Sequence, residues 1–523
     1  MNILNEVSQR ISSAMRPFND DLIYGFRKRK ITSIPEYLDS AFRQTVTFFN
    51  NQLQYIGYRT LTPEERLDYL IENSIHKGQV SIRRTETSTV QFKFSFQGDP
   101  YYIYVEIPYL QNECVVYNDT EYYPLFPIVE RGSVNVTDSG TIIVKVMRVP
   151  ITFGRRSTDK VQLEAISGNH YWDILVTVKI YMGQVSKKGE RIPLVLYPLC
   201  RKGFRRTMEW YNIPEGSISV VHEGLVDDKA NEYFMLPNGL FLKANKMLLE
   251  NDVFFKRMVL SLFKIYLENT VFTPTDVIGD DTEYYCTTLG RYICSKNRNV
   301  PMNALVLKNA WTHLDMTDLM LDGVAQKKLA SVGIDVKDTY DLLHHMFFNI
   351  DKLIVSYNPI NLYDKMIGSL DQLMGGVIRG ITTQQYGIIN SKRGASLTPE
   401  VVKTFCRKAS QRPSWISMTS IFRPEPSVYG DNLLLTVAGK RFLSLDSVES
   451  QYGYGRKKKR ATTRIPPHLL KSHPSHIAVT SILDIPASTP VSTGSINPYL
   501  QIDDEGNIIE NKEHSKILEH VFD

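Results

Sequence analysis

The spacing of apolar and polar positions changes several times along the chain. Residues 35–75 carry a mostly helical pattern. From 78 to 155 the character shifts. QFKFSF (91–96) and YYIYVEI (101–107) alternate or run apolar, with many aromatic and β-branched residues, and predict strands joined by short turns. YNDTEYYPLF (117–126) predicts a hairpin turned at Asn118-Asp119, and TIIVKVMRV (141–149) another strand. A second β-rich block follows, with WDILVTVKIYM (172–182) and then the run from Arg191 to Pro198. Helical patterns take over at 241–270 and continue at 323–332, 337–350 and 361–379. LTPEVVKTFCRK (397–408) has a helix start, with Thr398 as cap before Pro399 and Glu400. From about 430 the pattern is loop and strand, dense in glycine, proline and serine. The order α, β, β, α and irregular tail predicts an α+β protein of two lobes.

A chain of 523 residues is long enough for two or more domains, and its 42% hydrophobic and 22% charged residues are those of a globular protein with a sizeable core. The net charge of +5 is small for this length, so any functional charge must be local. Cys114, Cys200, Cys286, Cys294 and Cys406 form no CxxC pair and are odd in number, which predicts reduced thiols rather than a zinc site or a disulfide framework. No apolar run follows MNILNEVSQR, so no secretory signal is expected, and no stretch has the length of a membrane span.

Enzyme motifs are missing. There is no P-loop, GxGxxG, GxSxG, HExxH or Asp-rich metal motif, and no Ser/His/Asp or Cys/His set follows from spacing. Neither catalytic residues nor metal ligands are assigned. Asp503-Asp504-Glu505-Gly506-Asn507 is acidic, but it sits between Leu-Gln-Ile and Ile-Ile, and a hairpin turn is the better account. Asp280-Asp281 has the same status. His344-His345 lies in an apolar helical stretch and predicts one core-facing and one exposed ring.

The sharpest local feature is basic. Arg456, Lys457, Lys458, Lys459 and Arg460 follow Gly453-Tyr454-Gly455, Arg464 and Lys471 come soon after, and no acidic residue occurs between Glu449 and Asp484. Clustered cations neutralise phosphates and release counterions, and glycines let a backbone approach a ligand. A solvated charge run or a localisation signal would look the same. His473 and His476 flank Pro474-Ser475 directly afterwards. Zinc binding would need a partner pair nearby, and His468 is the one further candidate, so a structural or phosphate-facing role fits better.

From here the residues resemble a family. His473-Pro474-Ser475-His476, followed by Ile482-Leu483-Asp484-Ile485-Pro486 and a Ser/Thr/Pro/Gly-rich stretch to Asn497, resembles the fork region of the multisubunit RNA polymerase β subunit. Matches earlier in the chain fall in family order: Pro127 to Gly132 with Thr141 to Phe153, where Arg148 and Pro150 are shared; Asn169 to Asp173 around Trp172; and Arg191 to Gly203.

The resemblance implies a protrusion over 1–155 and 346–440, a lobe over 156–345 inserted into it, and a fork region over 441–523. It implies the N-terminal half of a β subunit made as a separate chain, of the kind found in giant tailed bacteriophages, forming one wall of the DNA cleft without catalysis of its own. Arg456 to Arg460 and Arg464 would then contact DNA, while Lys471, His473, His476 and Asp484 would shape the wall beside the RNA–DNA hybrid. Mg²⁺ would be held by partner chains, and this chain would bind no cofactor. Implied partners are a C-terminal β-like subunit, β′-like subunits, a promoter-specificity subunit, the DNA template and the RNA transcript, in the cytoplasm of an infected host and away from membranes. Departures are plain: Ala478 and Val479 replace the family's glycine and arginine after the second histidine, and the glutamate of the following motif is at best Asp484. The alternatives are a phage structural or assembly protein and a standalone nucleic-acid-binding protein.

Overall fold

The structure is a computed structural model that describes residues 29, 31–46, 52–75, 87–109, 115–117, 120–124, 128–131, 134–137, 140–145, 150–155, 160–180, 191–226, 228–237, 239–268, 282–293, 304–321, 323–358, 361–367, 397–410, 422–424, 444–446, 473, 475–479, 493–495 and 500–510. The chain divides into two units. The first comprises Met1–Arg131, Asn358–Ile381 and Leu397–Asp523, and the second Gly132–Tyr357 and Thr382–Ser396. Both mix helices with small antiparallel sheets.

In the first unit a sheet of order β1 (Leu53–Thr60), β2 (Thr87–Phe96) and β3 (Asp99–Pro108) is built on alternation. Val90, Phe92, Phe94 and Phe96 are buried, whereas Gln91, Lys93 and Ser95 lie on the other face. The β2–β3 hairpin matches the expected pair of strands. Its turn is Gln97-Gly98, both at positive φ (54° and 93°), as a two-residue turn matching the strand twist requires. Helix α1 (Ile34–Val46) lays Phe42 on Phe92 and Phe94, with ring centroids 4.8 and 5.4 Å apart. The helix Pro399–Ala409 adds Phe405 against Phe94 at 6.5 Å. That helix begins where expected, after Thr398 and with Pro399 in its first turn, but the Thr398 side chain makes no capping bond.

The mostly helical expectation for 35–75 holds at both ends, but β1 interrupts it before α2 (Pro63–Ile75). LQYIGYRT supplies aromatic and β-branched residues, and a bulge between Tyr55 and Gly57 lets it follow β2. Helix α2 starts at a capping box: the Glu65 amide donates to Thr62 Oγ1 at 3.3 Å, and the Thr62 amide donates to Glu65 Oε2 at 3.0 Å. The hairpin expected at Asn118-Asp119 is present as Val115–Tyr117 paired with Thr120–Pro124. The helix expected over 361–379 is not formed in its described part. A 3-10 turn, Leu362–Asp364, leads into the strand Lys365–Ile367, which pairs with Ile128–Glu130. A neighbouring strand overrides the local helical pattern there.

In the second unit a five-stranded sheet takes the order Ile192–Pro193, Thr177–Ile180, Pro150–Gly154, Thr141–Lys145, Val134–Val136. The β-rich stretch 172–182 forms two strands: His170–Ile174 pairs with Lys160–Glu164, and Thr177–Ile180 joins the larger sheet. Beyond Ile192–Pro193 the expected strand at 191–198 gives way to helix α3 (Leu196–Trp210). Leu194, Val195, Leu196, Tyr197 and Leu199 are fully buried, and a short apolar run buried on all sides carries no period that separates strand from helix. The helical segment expected at 241–270 begins with the strand Phe241–Asn245, then a short helix Lys246–Asn251 capped by Asn245, then α4 (Val253–Glu268).

Helices α5 (Thr282–Ile293) and α6 (Ala304–Asp318) form where no element was expected. Gly290 lets them touch: a Cβ there would lie 2.4 Å from the Val306 carbonyl oxygen. The helix Gly323–Ala330 and α7 (Thr339–Ser356) agree with expectation, α7 being capped by Asp338. Tyr197, Tyr211, Tyr266, Tyr285 and Phe347 fill the core. Arg257, 5% exposed in its side chain, reaches Asp351 at 2.6 Å and Asp173 at 3.6 Å, and Arg155 meets the other Asp351 oxygen at 2.5 Å. Cys200, Cys286 and Cys406 are free and buried, and burial pushes the Cys406 thiol up to about 12.

Candidate nucleic-acid interface

The first unit gathers four distant segments at one place. Lys365–Ile367 pairs with Ile128–Glu130 on one side, and on the other Met366 bridges Asn507, with the Ile508 amide donating to the Lys365 carbonyl at 3.2 Å. The Arg131 guanidinium donates to the Ile508 carbonyl at 2.7 Å. The acidic stretch 503–507 is the turn of a small hairpin, as expected. Asp503 accepts from the Asn507 amide and side chain, both at 2.7 Å, and Gly506 sits at φ 94°.

The fourth segment is the histidine motif. The short helix Ser475–Val479 packs on the Leu362–Asp364 turn. Ser475 is fully buried, and its Oγ accepts from the Leu362 amide at 2.9 Å. Its hydroxyl donates to His473 Nδ1 at 2.7 Å, and its amide donates to the same nitrogen at 3.2 Å. Nδ1 is therefore the acceptor, and in the neutral ring Nε2 carries the proton. His473 is half-buried, with its Nδ1 committed to Ser475. Among the described residues no group of three or more His, Cys, Asp or Glu side chains could hold a metal ion.

Of the site residues expected from the sequence, the structure brings His473 onto this framework. The backbone of His476 lies in the short helix, but its side chain is outside the described residues, as are Arg456, Lys457, Lys458, Lys459, Arg460, Arg464, Lys471 and Asp484. Asp280-Asp281 is also outside them.

The second unit holds a cationic feature that sequence reasoning passed over. Helix α3 is kinked at Gly203 (φ 76°, ψ −177°), inside the run Arg201-Lys-Gly-Phe-Arg-Arg206. Arg201 turns inward to Asp315 (3.1 Å) and Asp318 (2.7 Å). Lys202, Arg205 and Arg206 are exposed. Lys202 Nζ stands 4.3 Å from the Trp210 ring centre, and His344 stacks on Trp210 at 4.6 Å. The Trp210 carbonyl accepts from His344 Nε2 at 3.0 Å. His344 and His345 are both half-buried, which corrects the expectation of one buried and one exposed ring. Both line a cleft of about 490 Å³ with Asn212, Asp335, Val336, Asp341, Phe348 and Asn349. Burial, then His344 and Lys352, hold the His345 pKa below its ordinary value. The sequence signal for this place is the basic run Arg201-Lys-Gly-Phe-Arg-Arg206.

A family profile described as "Non-virion RNA polymerase subunit" matches residues 1–411. The chain belongs to this family. The matched stretch takes in the whole second unit and the sheet β1–β3, and ends before the histidine motif. Membership makes the chain a subunit of a bacteriophage RNA polymerase, with other polymerase subunits as its partners. No curated protein matches the chain. Among the described residues no helix is long and apolar enough to cross a membrane.

Proposed function

We propose that this polymerase subunit is the N-terminal β-like chain, forming one wall of the DNA cleft and lending no catalytic group of its own. The observation that carries the reading is the order of the two units. Residues 132–357, with 382–396, form one unit flanked on both sides by segments of the other, where the resemblance implies a lobe of 156–345 inserted into a protrusion. The return of Ser475 to Leu362 adds support, since it ties the fork-like motif to the outer unit. In this reading the basic run at 456–460, with Arg464 and Lys471, reaches phosphates beside a wall built on His473, His476 and Asp484. Mg²⁺ and the chemistry of nucleotidyl transfer belong to β′-like partners, with a C-terminal β-like chain completing the wall. The enzyme works in the cytoplasm of the infected host. Family membership favours this reading over a particle-assembly protein.

The extent of the family match favours one second reading. Because it ends at 411, membership rests on the two units and not on the fork-like stretch. The chain would then be an additional subunit beside a complete β-like set. Purifying the enzyme from infected cells and identifying its chains separates the two. The first reading expects a partner that begins where the second half of β begins, and β′-like chains carrying an Asp-rich motif. A separate chain containing a whole N-terminal β half would sink it, as would RNA synthesis by the purified single chain.

A further inference from the structure

One side chain, His344, links the kinked helix α3 to a cleft: it stacks on Trp210 of the helix at 4.6 Å and lines the cleft. Lys202 lies over the same Trp210 ring at 4.3 Å. On the helix side are exposed cations. Among the described residues neither Lys202 nor Arg206 has a carboxylate within ion-pair distance, whereas Arg201 of the same run is held by two. On the cleft side the lining changes character. His344, His345 and Phe348 line it with rings, and Asn212, Asn349, Asp335 and Asp341 with amides and carboxylates of the kind that pair with base edges. Asn349 Nδ2 already donates to the His345 carbonyl at 3.0 Å and Asp341 accepts from the Lys337 amide at 3.2 Å, so a base would meet Asn349 through its Oδ1. Cations beside a cleft of rings and amides are what an unpaired nucleotide needs: phosphates held by charge, a base held by stacking and edge contacts. The cleft carboxylates would repel a phosphate, which sets the polarity, with the backbone on the α3 side and the base inward.

We infer that the second unit carries a binding site for single-stranded nucleic acid, with Lys202 and Arg206 on the phosphates and an unpaired base in the cleft against His345, Phe348 and Asn349. Duplex would engage the cations alone, because a stacked and paired base cannot enter the cleft. The proposal uses none of the residues of the basic run at 456–460 and does not depend on the β-like reading.

The test is fluorescence anisotropy of the purified full-length chain with a labelled single-stranded 12-mer of mixed sequence and with the matching duplex, titrated across salt. Lys202→Ala with Arg206→Ala should flatten the single-strand log–log salt slope by about 1.4, two contacts at about 0.7 each. Asn349→Ala with His345→Ala should weaken single-strand binding several-fold, leaving duplex binding and both salt slopes as they are. Thermal unfolding of each variant establishes that it folds. The charge reversal Arg206→Glu should weaken binding further than Arg206→Ala. Unchanged salt slopes in the α3 variants overturn the proposal, and so does equal loss of duplex and single-strand binding in the cleft variants. Lys457→Ala, Lys458→Ala and Lys459→Ala in the same assay read the basic run. Their silence, with the α3 effects intact, would count against the β-like reading alone.

Discussion

The Tyr197 hydroxyl and His313 Nε2 lie 2.8 Å apart in the interior of the second unit, with Tyr197 fully buried and His313 only 3% exposed. Burial lowers the His313 pKa to about 4 from 6.5, and its Nδ1 makes no hydrogen bond among the described residues. The unfolded chain therefore binds a proton that the folded chain refuses. The stability from keeping this ring neutral is fully present above about pH 6.5 and is lost as pH falls towards 4, on the order of 3 kcal/mol in all. Urea unfolding of the full chain across that window should show stability rising with pH. In His313→Gln this part of the slope should vanish; an unchanged slope would mean the ring is protonated in the fold.

Asp351 is the partner of two arginines, one of them deeply buried. Asp351→Ala leaves Arg257 with Asp173 at 3.6 Å as its remaining carboxylate. Removing one partner of a buried pair costs about 3–5 kcal/mol, and partial exposure of Asp351 puts this case towards the lower end. Adding Arg257→Met should recover part of the loss. Thermal unfolding of the single and double variants measures both, and a double variant less stable than the single would contradict the account.

Ser475 joins Leu362 and His473. Ser475→Ala should cost about 1 kcal/mol, because the Leu362 amide loses its acceptor in a partly buried place. Hydrogen exchange is the direct readout. The Leu362 amide should exchange faster while amides of α4 keep their protection. Equal acceleration in both places would mean a global effect and not loss of this join.

Replacing Lys457, Lys458 and Lys459 with Ala should reduce the salt dependence of elongation-complex stability. Each lost phosphate contact on duplex flattens the log–log slope by about 0.9. Salt titration of complex lifetime in the assembled enzyme tests this, and an unaltered slope argues against phosphate contact by this run.

Hairpins were legible where local chemistry sets them. The alternation of β2 and β3 and the acidic turn at 503–507 could be read from a few adjacent residues. Elements decided by distant partners could not. The run Leu194, Val195, Leu196, Tyr197 and Leu199 is apolar in a way that suits a buried strand, and the helix α5 packed against it settles the matter. Lys365–Ile367 has a helical pattern but takes a strand because Ile128–Glu130 and Asn507 present backbone partners. The candidate site shows the same divide. The histidine motif announced itself by composition, but its anchoring serine is meaningful only beside Leu362. The pile of Lys202, Trp210 and His344 spans 143 positions, so no local window contains it.

The meeting of Ile128–Glu130, Lys365–Ile367, Ser475 and Ile508 bears on the order in which the protein can be made. A ribosome releases residues 132–357 as one stretch, so most of the second unit is available to fold while synthesis continues. The first unit has to wait. Its N-terminal sheet emerges first, but the strand at 128–130 stays without its neighbour until residue 367 is out, and the join closes only after residue 508. A nascent chain stalled near residue 400 would carry a nearly finished second unit and an unfinished first one.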